Sequence, residues 1–137
     1  MLLTFKNSNL VPVIKLLNSI EIKGKYSRSR SKVVNVFMQK FEELQKDERS
    51  LIEEYCNKDE NGEVVMLDST TFDVPKELEG ELTTAKAELF AEEFSIETGE
   101  LDQHFLNLRE TLENLDKLLK GDEADIYDII LDELDKL

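Results

Sequence analysis

The sequence predicts an α+β fold that is mainly α, an antiparallel helical bundle with a small β-hairpin or sheet element. Three observations carry this reading. Apolar residues recur at alternating steps of three and four along several long stretches. Helix breakers are scarce, with 5 Gly and 2 Pro in 137 residues. Charged residues make up 35% of the chain, a load suited to helices with one solvated face. The length suits a single domain over 1–137, large enough to bury a core without disulfides or metals.

Leu2 to Lys6 read as a short strand with Leu3 and Phe5 on one face. Ser8 or Asn9 then caps a short helix, and Pro12 falls in its first turn, where a missing N–H does no harm. Its apolar stripe is Leu10, Val13, Ile14, Leu17 and Ile20. Residues 21–30 read as a polar loop around Gly24. A long helix follows, from about Ser31 to Cys56, with the seam Val34, Phe37, Phe41, Leu44, Glu48, Leu51 and Tyr55. Residues 63–67 and 71–74 resemble a small hairpin or two edge strands. Pro75 opens a helix over about 76–94, with Leu78, Leu82, Ala85 and Leu89 in its stripe, and Phe94 to Thr98 also read as a short strand. The next helix spans about 100–120, with Leu101, Phe105, Leu108, Leu112, Leu115 and Leu119 in 4-3-4-3-4 spacing. The last covers 122–137, with Ile126, Ile129, Ile130, Glu133, Leu134 and Leu137 on one side and a nearly continuous acidic surface on the other. Such short seams suit a bundle better than an extended coiled coil.

The net charge of −14 hides an asymmetry. Residues 1–40 hold eight basic side chains and one acid, a balance of +7, whereas residues 41–137 hold nine basic and thirty acidic side chains, a balance of −21. The acidic body would repel nucleic acid and anionic lipid, so neither is an expected partner. No apolar stretch approaches the roughly 18 residues that a membrane span needs. The N-terminal stretch lacks the basic region, apolar run and cleavage site of a secretory signal. The lone Cys56 cannot form an internal disulfide, which fits a reducing compartment and a cytoplasmic protein.

Three local patterns bear on function. The first is the basic segment Lys23, Lys25, Tyr26, Arg28, Arg30 and Lys32, a candidate anion-binding loop placed just before a helix N-terminus. The competing reading, a solvated loop that pairs with the protein's own acids, is the stronger. The second is the row Asp122, Glu123, Asp125, Asp128, Asp132 and Asp135. Ordered acids on a helix can imitate a phosphate backbone and occupy a basic partner surface, although a merely solvated face is the commoner outcome. The third is the stretch 57–68, with Asn57, Asp59, Asn61, Glu63 and Asp68 spaced as in a calcium loop of the EF-hand kind, with Gly62 at the turn. Asn at the first position, Asp rather than Glu at the twelfth, and a β-like exit count against calcium. The Asn61-Gly62 tight turn is the simpler reading. No cofactor is expected. No P-loop, dinucleotide fingerprint, nucleophile elbow or Cys–His spacing occurs, and the single histidine, His104, has no second ligand for metal work. The chain therefore reads as a binding protein rather than an enzyme.

Leu10 to Asn18, followed by Lys23-Gly24-Lys25, Ser27 to Arg30 and a long helix ending in Lys58 to Gly62, resembles a group of small phage and prophage proteins of Gram-positive bacteria that form a domain of unknown function. The resemblance covers roughly the first 65 residues and, more loosely, the acidic remainder. It implies a phage gene product acting in the host cytoplasm, and it supplies no activity and no functional residues. The leading expectation is an accessory protein that binds and inhibits a host protein, such as a defence or nucleic-acid enzyme, through the acidic surface. A small-anion or nucleotide binder using residues 23–32 is the second. A virion structural or assembly role, with the helices forming a homo-oligomer, is the third.

Overall fold

A computed structural model describes all of residues 1–137 and bears out the mainly α, α+β class, with a helical bundle and a two-stranded antiparallel sheet. The chain is β1 (Leu2–Lys6), α1 (Leu10–Ser19), α2 (Lys25–Tyr55), α3 (Glu79–Ala91), β2 (Glu93–Glu97), α4 (Asp102–Glu113) and α5 (Gly121–Leu134). Single 3-10 turns precede α1, α3 and α4. The backbone divides into two compact units. Unit 1 comprises Met1–Phe41 with Glu93–Leu137, and unit 2 comprises Glu42–Glu92.

Unit 1 grows from the period-two pattern of β1. Leu3 and Phe5 point inward, and β1 pairs with β2 in the register Leu3↔Ile96 and Phe5↔Phe94. That register puts four apolar side chains on one face and sets Lys6 opposite Glu93 on the other. Phe5, Phe37 of α2 and Phe94 form a cluster with ring centroids 5.3–6.4 Å apart. α1 buries Leu10, Val13, Leu16 and Leu17. α4 buries Phe105, Leu108 and Leu112, and α5 buries Ile126, Ile130 and Leu134. α5 packs against α1, α4 and β1. Polar bonds fix these packings: the Tyr127 hydroxyl donates to the Leu112 carbonyl at 2.6 Å, and the Thr4 N–H donates to Glu133 at 3.3 Å.

Unit 2 holds the second half of α2, the stretch 56–78 and α3. Its buried apolar residues are Leu44, Cys56 and Leu82. The expected strands at 63–67 and 71–74 are reduced to two isolated bridges, Lys58↔Val64 and Met66↔Phe72, with backbone bonds such as Asp73 N–H to Val65 O at 2.9 Å. The expected stripe of α3 is only half-buried at Leu78, Ala85 and Leu89.

Two boundaries differ most from the sequence reading, while α3 falls three residues short of the expected 76–94 at each end and α5 ends at Leu134 rather than 137. α2 starts at Lys25, six residues before Ser31, because Gly24 takes φ +53° and turns the chain directly into the helix. α4 ends at Glu113 rather than near 120. Asn114 closes it by donating from its side chain to the Glu110 carbonyl at 2.8 Å, and residues 115–120 continue without helix. No helix is long and apolar enough to cross a membrane.

Candidate functional site

The basic segment is helix rather than loop from Lys25 onward, so its side chains radiate around the first turns of α2. Two of the six candidates are committed internally. The Tyr26 hydroxyl donates to Glu110 at 3.1 Å, which pushes its pKa up, and Lys25 lies 5.2 Å from the Tyr26 ring centre. Arg30 donates to the carbonyl of Ile20. Lys23, Lys25, Arg28 and Lys32 are exposed and form no ion pair. They crowd the positive end of a 31-residue helix whose first turn has no acid, which adds to the helix dipole rather than offsetting it. The expected pairing of this segment with the protein's own acids is therefore confined to Tyr26 and Glu110. An open cleft of about 360 Å³ lies beside it, lined by Lys23, Tyr26 and Ile22 together with Glu21, Glu110 and Asp116. An anion entering that cleft meets three carboxylates.

Ser29 faces inward from the same segment and is 1% exposed. Its hydroxyl lies 3.0 Å from His104 Nδ1 and accepts a 3.0 Å bond from the Asn107 amide. With one bond accepted, the hydroxyl hydrogen is free to point at the ring nitrogen, so the trio is satisfied and clasps α2 to α4. A serine beside a histidine invites a nucleophilic reading, but this hydroxyl is buried and has both partners. The sequence carried no signal for the trio, because none of its members is apolar and 75 residues separate Ser29 from His104.

The acidic row runs along α5 to its C-cap, Asp135. Asp122, Asp125, Asp128, Asp132 and Asp135 are all exposed and form no ion pair. Glu123 is half-buried and lies 3.5 Å from Lys117. Asp122 and Glu123 occupy the first turn of the helix, where the dipole favours them. Next to the row, α1 and α5 leave an open, largely apolar groove of about 400 Å³. Val11, Pro12, Leu16 and Ile126 line it, with Lys15, Ser19, Asp122 and Glu123 at its edges. Sequence reading missed this groove, since Val11 and Leu16 lie on different sides of the expected α1 stripe.

In the 57–68 stretch, Asp59 and Asp68 each commit a carboxylate oxygen to nearby backbone N–H groups. Asp59 accepts from the N–H groups of Asn61 and Glu63 at 2.8 and 3.0 Å, and Asn57 donates to Asp73 at 3.0 Å. Asp68 accepts from the N–H groups of Thr70 and Thr71, both at 2.8 Å, and these bonds with the Thr70 hydroxyl hold its pKa below the ordinary Asp value. Gly62 takes φ +78°, as the tight-turn reading requires. No group of three or more His, Cys, Asp or Glu side chains is placed to hold a metal ion. Glu48 is half-buried on α2, and Cys56 is buried with its thiol 3.5 Å from the Glu53 carbonyl.

The chain belongs to the family described as protein of unknown function (DUF1617), whose model matches residues 1–136. No curated protein and no solved structure matches it.

Proposed function

We propose that this DUF1617 chain is a non-enzymatic, phage-encoded accessory protein that binds a host protein in the cytoplasm and inhibits it through the acidic face of α5. One observation carries the reading. Five aspartates, Asp122, Asp125, Asp128, Asp132 and Asp135, stand exposed along one helix with no cation of the protein paired to them. Unpaired like charges repel one another and reduce the stability of the free protein, while a basic partner surface turns the same charges into attraction and faster encounter. A row of carboxylates on a rigid helix offers a regularly spaced partner to Lys and Arg side chains that otherwise grip phosphates.

The test is capture from a Gram-positive host lysate on immobilised full-length protein, at low and at high salt, beside the variant Asp125→Asn/Asp128→Asn/Asp132→Asn. The wild type should retain a host protein at low salt, lose most of it at high salt as screening predicts, and outperform the neutralised variant. Retention of nothing at low salt, or equal retention by the variant, sinks the reading.

A further inference from the structure

We propose that the groove between α1 and α5 takes an apolar side chain of a basic amphipathic segment, so that groove and acidic row act as one docking surface. The proposal rests on the reading of α5 given above and adds the chemistry of the partner. Groove and row are continuous, because Asp122 both edges the groove and begins the row. The groove's volume of about 400 Å³ sits at the small end of ligand-binding clefts. Val11 stands at its lip, 39% exposed, where an isolated valine has nothing of its own to cover it.

Charge selects the occupant. The α5 edge of the groove presents Asp122, which has no ion pair, and Glu123, and Asp125 follows one turn further along the exposed side of the helix, so the flank of the incoming segment that lies over α5 carries Lys or Arg. The α1 edge presents one cation, Lys15, so the opposite flank is neutral or acidic. Apolar anchors at helical spacing with cations to one side describe an amphipathic helix laid in a groove. A second copy of the chain is a poor occupant: its exposed cations Lys25, Arg28 and Lys32 have no exposed apolar residue among them on α2, and each copy carries a net charge of −14.

The probe is a fluorescein-labelled helical peptide of leucine and lysine, compared with a peptide of the same charge in which glutamine replaces leucine. Anisotropy is read with the full chain at low salt. The leucine peptide should bind at least about tenfold more tightly than the glutamine peptide, the factor one apolar anchor supplies. Val11→Glu should remove that advantage and leave circular dichroism unchanged, because Val11 is at the surface. Lys15→Glu, which removes the cation at the edge, should tighten both peptides. Equal binding of the two peptides, or an undiminished leucine advantage in Val11→Glu, overturns the groove. If binding of both peptides is also lost in the Asp125/Asp128/Asp132 neutralised variant, the reading of α5 still stands and the groove alone has failed. If neither peptide binds the wild type and the lysate yields nothing, both fail together.

Discussion

Units 1 and 2 are cut from one acidic, helix-rich chain, but they are held together by different forces. Unit 1 has a core in the ordinary sense: a sheet face, a cluster of three aromatic rings and the inward stripes of α1, α4 and α5. Of the 20 buried apolar residues, all but Leu44, Cys56 and Leu82 belong to it. Unit 2 spans more than a third of the chain and leans on backbone bonds across 57–73, on Asx-type turns at Asp59 and Asp68, and on half-buried side chains. Met66 and Leu67 stand exposed there, Leu67 at 68%. Apolar burial contributes roughly 1.5–3 kcal/mol for each large side chain taken fully out of water, whereas a net hydrogen bond contributes about 1 kcal/mol. Unit 1 is therefore the stable part of the molecule, and unit 2 is the part that opens first.

The strongest challenge to that contrast is Phe37→Ala. It should cost about 3–5 kcal/mol of global stability, read by denaturant unfolding, because the ring is buried and packs edge-on against both Phe5 and Phe94. Leu82→Ala should cost about 2–3 kcal/mol, the lower part of the range for buried leucines. Native-state hydrogen exchange should show that loss in the amides of 79–91 while those of 105–112 keep their protection. Equal losses from the two variants would break the contrast. Ser29→Ala removes the shared partner of His104 and Asn107. It should cost about 1–2 kcal/mol, because both neighbours are half-buried and water can replace part of the bond.

The smallest effect belongs to the turn at Asp68. Its native pKa lies below the ordinary Asp value of about 4, so the unfolded turn binds its proton first as pH falls. The stabilisation is complete above that ordinary value and is lost as pH drops through the lower native one. The Thr70 and Thr71 amides should lose protection in that acid window, and Asp68→Ala should remove the pH dependence.

Legibility in the sequence followed the same division. The seams of α1 and α5, the inward face of β1 and the acidic row were visible because each is a periodic contrast between apolar and charged residues. The start of α2 was hidden because its first inward position is filled by Ser29 rather than by an apolar residue. The end of α4 was masked by Leu115 and Leu119, which continue the helical spacing although residues 115–120 are not helix. Leu118 in that linker is 95% exposed. The strands at 63–74 looked complete because Val64 to Leu67 and Phe72 suit strands, but pairing also needs register, and Asp68 bends the chain within three residues. The groove beside α5 depends on how two helices distant in sequence meet, and no local pattern records that.

The pairing of β1 with β2 also sets a timetable. Phe5 and Phe94 face each other across 89 residues of chain, and unit 2 lies wholly within that interval. During synthesis the less stable part is complete before the second half of the more stable part has left the ribosome. Leu3 and Phe5 must wait for their strand partners Ile96 and Phe94, which arrive late. Long-range pairings of this kind slow folding because loop closure precedes the contacts that reward it. The nascent chain thus spends its most aggregation-prone interval with the inward face of β1 still unpaired.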